Sequence, residues 1–244
     1  MIVARRFALT EELVARVERF EPDSGPNKKL TAMTDAGFEE AAHQLLKQKG
    51  GAPFWIFAYG SLIWKPAFDH VEARVATVHG WRRAFSIDLV RWRATPEEPG
   101  LMLALGRGGA CRGVAYRLEP EDPHAQMVRL LRREIDYWEN LAWMRWITCR
   151  TGAEKVRALA FYVEPRHDPH GEAIHLPIEV QAYRLARAAG HLGSGAAYLR
   201  NTLVGLEKMG IHDSYLWRLQ RLVAEEIEAL ATPPVQLGRG LALG

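Results

Sequence analysis

The sequence predicts an α+β fold: a small mixed β-barrel flanked by helices, with a helical arm at the N-terminus. Three observations predict it. The hydrophobic period changes from helical to alternating near residue 54. Strand-like runs then dominate to about residue 163, and helical patterns take over afterwards. Turn residues punctuate the middle of the chain at short intervals, as expected of an all-β stretch. The 244 residues are 48% hydrophobic and include 8 Trp, enough to bury a large core.

In chain order, Thr10 is placed to cap a helix carrying Leu13, Val14, Val17 and Phe20 on one face. Glu21 to Lys29 reads as loop, and Thr34 caps a second helix that ends at Gly50. Residues 1–50 therefore form an N-terminal helical extension, expected as an appendage to the main unit. Strands are predicted at Phe54–Ala58, Ala73–Val78, Arg83–Val90, Leu101–Leu105 and Cys111–Leu118, with a hairpin at Gly106 to Gly109. Asp122, followed by Pro123, starts a helix expected to run to about Asn140. Strands follow at Arg145–Arg150 and Val156–Val163, then a His- and Pro-rich loop from Glu164 to Pro177. Helices complete the main unit at about 178–189, 194–208 and 213–231, with Gly210 ending one and Asp213 capping the next. The main unit spans 51–232, and 233–244 reads as a loose tail.

Composition narrows the function classes. Lys plus Arg is 32 against 29 Asp plus Glu, a net charge of +3. That is too mild for the basic stripe of a nucleic-acid binder, and the arginines at 82, 83, 91 and 93 read as a solvated strand face. No apolar run is long enough to span a membrane, and the start of the chain lacks the apolar core of a signal peptide. Two cysteines, Cys111 and Cys149, fit neither a disulfide scaffold nor a metal spacing and read as buried thiols in the cytoplasm. His167, His170 and His175, with Asp168 and Glu172, lack the spacing of a known zinc site and read as an exposed loop, either plain or a lid over the pocket. Tyr198, Tyr215 and Trp217 read as packing residues on amphipathic helices, and Tyr162 as either core or pocket. The sequence assigns no oligomeric state.

Two features carry chemistry. Glu134 stands seven residues after Met127, four after Leu130 and three after Leu131, four before Trp138 and seven before Leu141. At helical period a carboxylate thus interrupts a core-facing stripe. It is either paired within the core or placed at the floor of a pocket, where desolvation raises its pKa into the range of a general acid and base. The second feature is Tyr59-Gly60-Ser61 between two apolar runs. It is either a plain turn or a backbone cradle whose N–H groups accept a carboxylate or an oxyanion.

Four blocks of the sequence together resemble the ChaC-like γ-glutamylcyclotransferases, which act on glutathione. They are Tyr59-Gly60-Ser61-Leu62-Ile63-Trp64-Lys65-Pro66; Gly80-Trp81-Arg82-Arg83-Ala84-Phe85 with Arg93-Ala94-Thr95-Pro96-Glu97-Glu98-Pro99-Gly100; Arg133-Glu134; and a later series, Ala160 to His167, Gly193 to Leu199 and Met209 to Asp213. The likeness covers about 54–230. It implies a barrel flanked by helices, no metal or organic cofactor, a small-molecule γ-glutamyl substrate, and contact with that substrate by Tyr59, Gly60, Ser61, Leu62, Ile63 and Trp64. It also implies that Glu134 is catalytic. Arg93 is a candidate for a substrate carboxylate, since its planar fork suits bidentate contact. Ala94 stands where the family usually has glycine and Ala196 where it usually has asparagine. The implied reaction is cyclisation of the γ-glutamyl group to 5-oxoproline. A non-catalytic binder of the same compounds, an interaction protein, or a cyclotransferase for another γ-glutamyl amine or amino acid are the alternatives.

Overall fold

A computed structural model describes residues 6–119, 121–163 and 173–230. Its centre is a closed five-stranded barrel in the order β1-β3-β2-β4-β5, formed by Trp55–Ala58, Gly100–Leu118, His70–Leu89, Met144–Thr151 and Glu154–Phe161. β1 runs antiparallel to β3 and parallel to β5, which closes the barrel. Helices α1 (Glu11–Val17), α2 (Asp35–Lys49), α3 (Ser61–Trp64), α4 (Pro123–Glu134), α5 (Ile178–Arg187), α6 (Gly195–Lys208) and α7 (Ser214–Leu230) surround it. Two-residue strands β6 (Ala189–Gly190) and β7 (Gly193–Ser194) form a small separate ladder before α6. No described helix is long and apolar enough to cross a membrane.

Several expected caps form. Thr10 accepts from the Leu13 amide, Thr34 from Gly37, Asp122 from Ala125 and Asp213 from Leu216. Phe20, expected on the face of α1, lies beyond its end and is exposed.

Two sequence expectations need correction. The glycines at 106–109 make no hairpin, because β3 continues through them as one long partner of the equally continuous β2. Gly80, Gly108 and Gly109 all have positive φ, and the register slips between His79 and Trp81. These glycines therefore absorb a bulge that bends the ribbon so that it can close. The second correction concerns α4, which stops at Glu134 instead of running to Asn140. Ile135 is already extended, and the next residues are captured by the N-terminal arm. The Met33 amide donates to the Asp136 carbonyl at 2.9 Å, and the Trp138 amide to Thr31 at 2.9 Å. Trp138 and Leu141 thus leave the stripe for a 3₁₀ turn at Trp138–Trp143, where Trp138 is 39% exposed.

The N-terminal extension is built into the main core. Leu9, Leu13, Val17, Phe38, Ala42 and Leu45 belong to the same buried cluster as Ile56, Phe85, Leu103 and Leu199. Gln220 on α7 accepts from the Leu9 amide at 2.7 Å, and Phe7 stacks on Trp217.

Candidate active site

The stretch after β1 explains the shape of the candidate site. The chain leaves β1 at Ala58, passes Tyr59 and Gly60, and coils into the single turn of α3. Leu62 and Ile63 are buried in the main core. Trp64 lies over Gly205 of α6 and donates its indole N–H to Thr202 at 3.2 Å. These three side chains therefore anchor the loop, and Tyr59, Gly60 and Ser61 form the part beside the polar cluster.

A buried guanidinium fixes the loop from behind. Arg83 donates from Nε to the Tyr59 carbonyl at 2.6 Å, from Nη2 to the Arg112 carbonyl at 2.6 Å, and from Nη1 to the Asp213 carboxylate. Its side chain is 2% exposed. The expectation of a solvated strand face is wrong for Arg83, since these acceptors take up its donors and allow burial.

Glu134, the last residue of α4, faces this loop. Its pKa is raised by burial, opposed by the adjacent Arg133 and reinforced by Asp136. Arg133 Nε lies 3.2 Å from Glu134 Oε1. Both side chains keep about a fifth of their surface exposed, so the carboxylate is desolvated yet reachable.

Two tyrosines share the cluster. The Tyr59 phenol is raised well above its ordinary value by burial, then by Tyr198 and Glu134. Tyr198 is pushed up to about 12, again by burial first and then by Glu134. The backbone of β3, at Leu105 and Leu103 respectively, works against these upward shifts. A Cβ on Gly60 would stand 3.3 Å from the Tyr198 hydroxyl and 3.4 Å from Leu103. Tyr198 packs in the main core against Trp64 and Phe85, as its helix spacing predicts; that spacing gave no sign that the hydroxyl also lies beside Gly60. Tyr215 and Trp217 do pack, on Phe85 and Gln181 and on Phe7 and Glu207. Tyr162 packs against Trp81.

Arg93 completes the cluster. Its guanidinium lies 5.4 Å over the Tyr198 ring. Burial lowers its pKa, with Tyr198 and Glu18 opposing that shift. Among the described residues it makes no hydrogen bond and no ion pair within 4 Å. Arg91 instead forms a two-pronged pair with Asp23, both contacts at 2.7 Å. Ala94 and Ala196 are both buried, Ala196 within the main core.

No group of three potential metal-ligating side chains occurs among the described residues. His167, Asp168, His170 and Glu172 lie outside them. Two depressions, of about 380 Å³ between α1 and α5 and about 270 Å³ beside Phe54 and Leu118, include neither Tyr59 nor Glu134. The cluster is therefore singled out by its chemistry: a desolvated carboxylate, two phenols, a guanidinium without an ion-pair partner among the described residues, and a glycine backbone.

Residues 54–226 match the family described as ChaC-like protein. The chain belongs to that family. It is 37% identical over 177 residues to the glutathione-specific gamma-glutamylcyclotransferase of Escherichia coli (strain K12), covering 71% of this chain and 75% of that one. It is 28% identical over 194 residues to gamma-glutamylcyclotransferase 2-1 of Arabidopsis thaliana, covering 74% and 89%. Among solved structures, a yeast gamma-glutamyl cyclotransferase described as specific to glutathione superposes with a TM-score of 0.63 at 18% identity, covering 72% of this ChaC-like chain and 97% of the yeast chain. That likeness establishes a shared fold. The family match begins at residue 54, so α1 and α2 lie outside it.

Proposed function

We propose that this ChaC-like protein is a γ-glutamylcyclotransferase that converts glutathione to 5-oxoproline and Cys-Gly. The observation that carries the proposal is Glu134: a carboxylate whose pKa is raised by burial, ending α4 within electrostatic reach of the Tyr59 and Tyr198 phenols. Family membership and the E. coli relative support the substrate.

The chemistry is an internal cyclisation. Glu134 takes a proton from the α-ammonium, and the freed amine attacks the γ-carbonyl carbon. A C–N bond forms, the carbonyl π electrons move to oxygen, and backbone N–H groups near Gly60 and Ser61 stabilise that oxyanion. When the carbonyl re-forms, the bond to the cysteinyl nitrogen breaks, Glu134 returns its proton to the departing amine and then relays the second proton of the ring nitrogen to it, leaving a neutral lactam N–H and Cys-Gly as its ammonium. Atoms balance without water, oxidant or cofactor. Holding the extended substrate in the cyclising conformer is worth roughly 7–11 kcal/mol in well-oriented intramolecular reactions. Tyr59, Gly60 and Ser61 line one side of that conformer, Leu62, Ile63 and Trp64 hold them in place, and Arg93 receives a substrate carboxylate. The proposed compartment is the cytoplasm, where Cys111 and Cys149, both free and buried, stay reduced. The proposal involves no nucleic-acid or membrane partner.

The test is to incubate the purified protein with glutathione, γ-Glu-Ala and a γ-glutamylamine and to quantify 5-oxoproline by mass spectrometry. Product from glutathione alone is the expected result. Product only from another donor overturns the substrate and keeps the mechanism. Absence of product from all three overturns the activity.

A further inference from the structure

The N-terminal arm brings a carboxylate to the edge of the site. α1 is fixed on the core by Leu13 and Val17, and by Glu11, whose carboxylate lies 2.8 Å from Arg200 on α6. The residue that ends α1 is Glu18. One of its oxygens, Oε2, accepts from the Ser194 hydroxyl at 2.6 Å and from the Ser194 amide at 3.3 Å. Ser194 is fully buried, and its hydroxyl also caps α6, accepting from Ala197 at 3.1 Å. α6 is the helix that carries Tyr198.

The other oxygen faces Arg93 across Gly193. A Cβ at that glycine would lie 2.7 Å from Glu18 Oε1 and 3.1 Å from Arg93 Nη1. Gly193 has φ +95, so both its backbone and its lack of a side chain let the two charges approach. Glu18 also favours the charged form of Arg93 against the cost of burial. Asp23, five residues further along the arm, occupies Arg91. The arm thus engages one arginine of the 91–93 loop directly and leaves the other over the Tyr198 ring, its guanidinium without a hydrogen-bond partner among the described residues.

We infer that Glu18 is a positioning residue for substrate binding: it orients Arg93, and through Ser194 the start of α6, so that the guanidinium is presented to a carboxylate of the substrate. The inference rests on the proposed role of Arg93. It gives the segment outside the family match a function, completing the carboxylate subsite.

The experiment is a double-mutant cycle on the full chain with E18Q, R93A and the pair, read by steady-state kinetics with glutathione. E18Q is expected to raise KM about tenfold while kcat stays within twofold, the pattern of lost binding shared by ground and transition states. In the R93A background the same change is expected to alter KM less than twofold. A KM unaffected by E18Q, or raised by the same factor in both backgrounds, overturns the inference. A purely structural role at the start of α6 would lower the melting temperature and kcat in both backgrounds. E18A, which also removes the bond to Ser194, is expected to show the E18Q increase in KM together with a lower melting temperature. If the wild-type protein forms no 5-oxoproline, the proposed activity fails separately. Glutathione dissociation constants measured by calorimetry on the same four proteins then decide the coupling, and equal constants across the cycle overturn it.

Discussion

The two sides of the candidate site are held by opposite means. The Tyr59–Trp64 loop is fastened from within: Arg83 is buried, its donors are taken by two carbonyls and a carboxylate, and Leu62 and Ile63 sit in the core. Arg93 is approached from outside, by an exposed glutamate that stands across Gly193 from it on an arm that the family match does not include. A buried ionic network leaves little freedom and is costly to break, whereas an exposed carboxylate adjusts orientation at small cost to the fold. Damage to the first side should therefore appear in stability and turnover together. Damage to the second should appear in substrate affinity.

The largest effect expected belongs to the group both sides serve. Glu134→Gln keeps the shape and removes the base, so kcat for 5-oxoproline formation should fall about 100- to 10,000-fold. Near-normal turnover would disqualify Glu134. Linkage gives the accompanying sign for stability. Because burial raises the folded pKa above the ordinary 4.5, the folded protein binds this proton more tightly than the unfolded chain. Stability is lost as pH rises through that window, so the Gln variant should melt no lower than wild type at pH 7. In the wild type the same raised pKa should set the acidic limb of kcat/KM above pH 4.5.

Next comes the loop. Gly60→Val places methyl groups against the Tyr198 hydroxyl and Leu103, and should abolish measurable turnover in a protein that still folds. Normal Michaelis parameters would count against the backbone cradle. Arg83→Met strands Asp213 and frees the Tyr59 carbonyl, and should cost about 3–5 kcal/mol. A thermal melt within a degree of wild type would show that the loop is fastened by packing alone. A smaller change, Tyr198→Phe, should lower kcat about tenfold with little change in melting temperature. An unaltered rate would return Tyr198 to the packing role its sequence position suggests.

Much of this was legible before folding. Helix caps at Thr10, Thr34, Asp122 and Asp213 are local signals, written in a residue and the three that follow it. Glu134 stood out because a carboxylate among Met127, Leu130 and Leu131 breaks the local pattern, and the loop stood out because a glycine and a serine interrupt apolar runs. For the opposite reason the hydroxyl contact of the packed Tyr198 was missed and Arg83 was misread. Each matches its local pattern, an amphipathic helix and an alternating strand, and its distinction lies in partners far away along the chain.

The sequence by itself determined most of the elements, the barrel class and the choice of Glu134 as the candidate carboxylate, because periodicity, capping and a misplaced charge are properties of neighbours in the chain. Only the tertiary structure decided where α4 ends, what the glycines of β3 are for, and which arginine is left free at the site. Residues 31–33 of the arm pair with the backbone after Glu134 and override helical propensity there. Barrel closure turns an apparent hairpin into a bulge. Asp23 takes Arg91, while Glu18 stands across Gly193 from Arg93. Each outcome depends on contacts between segments distant in sequence, whose free energy exceeds the small local preferences that the sequence displays.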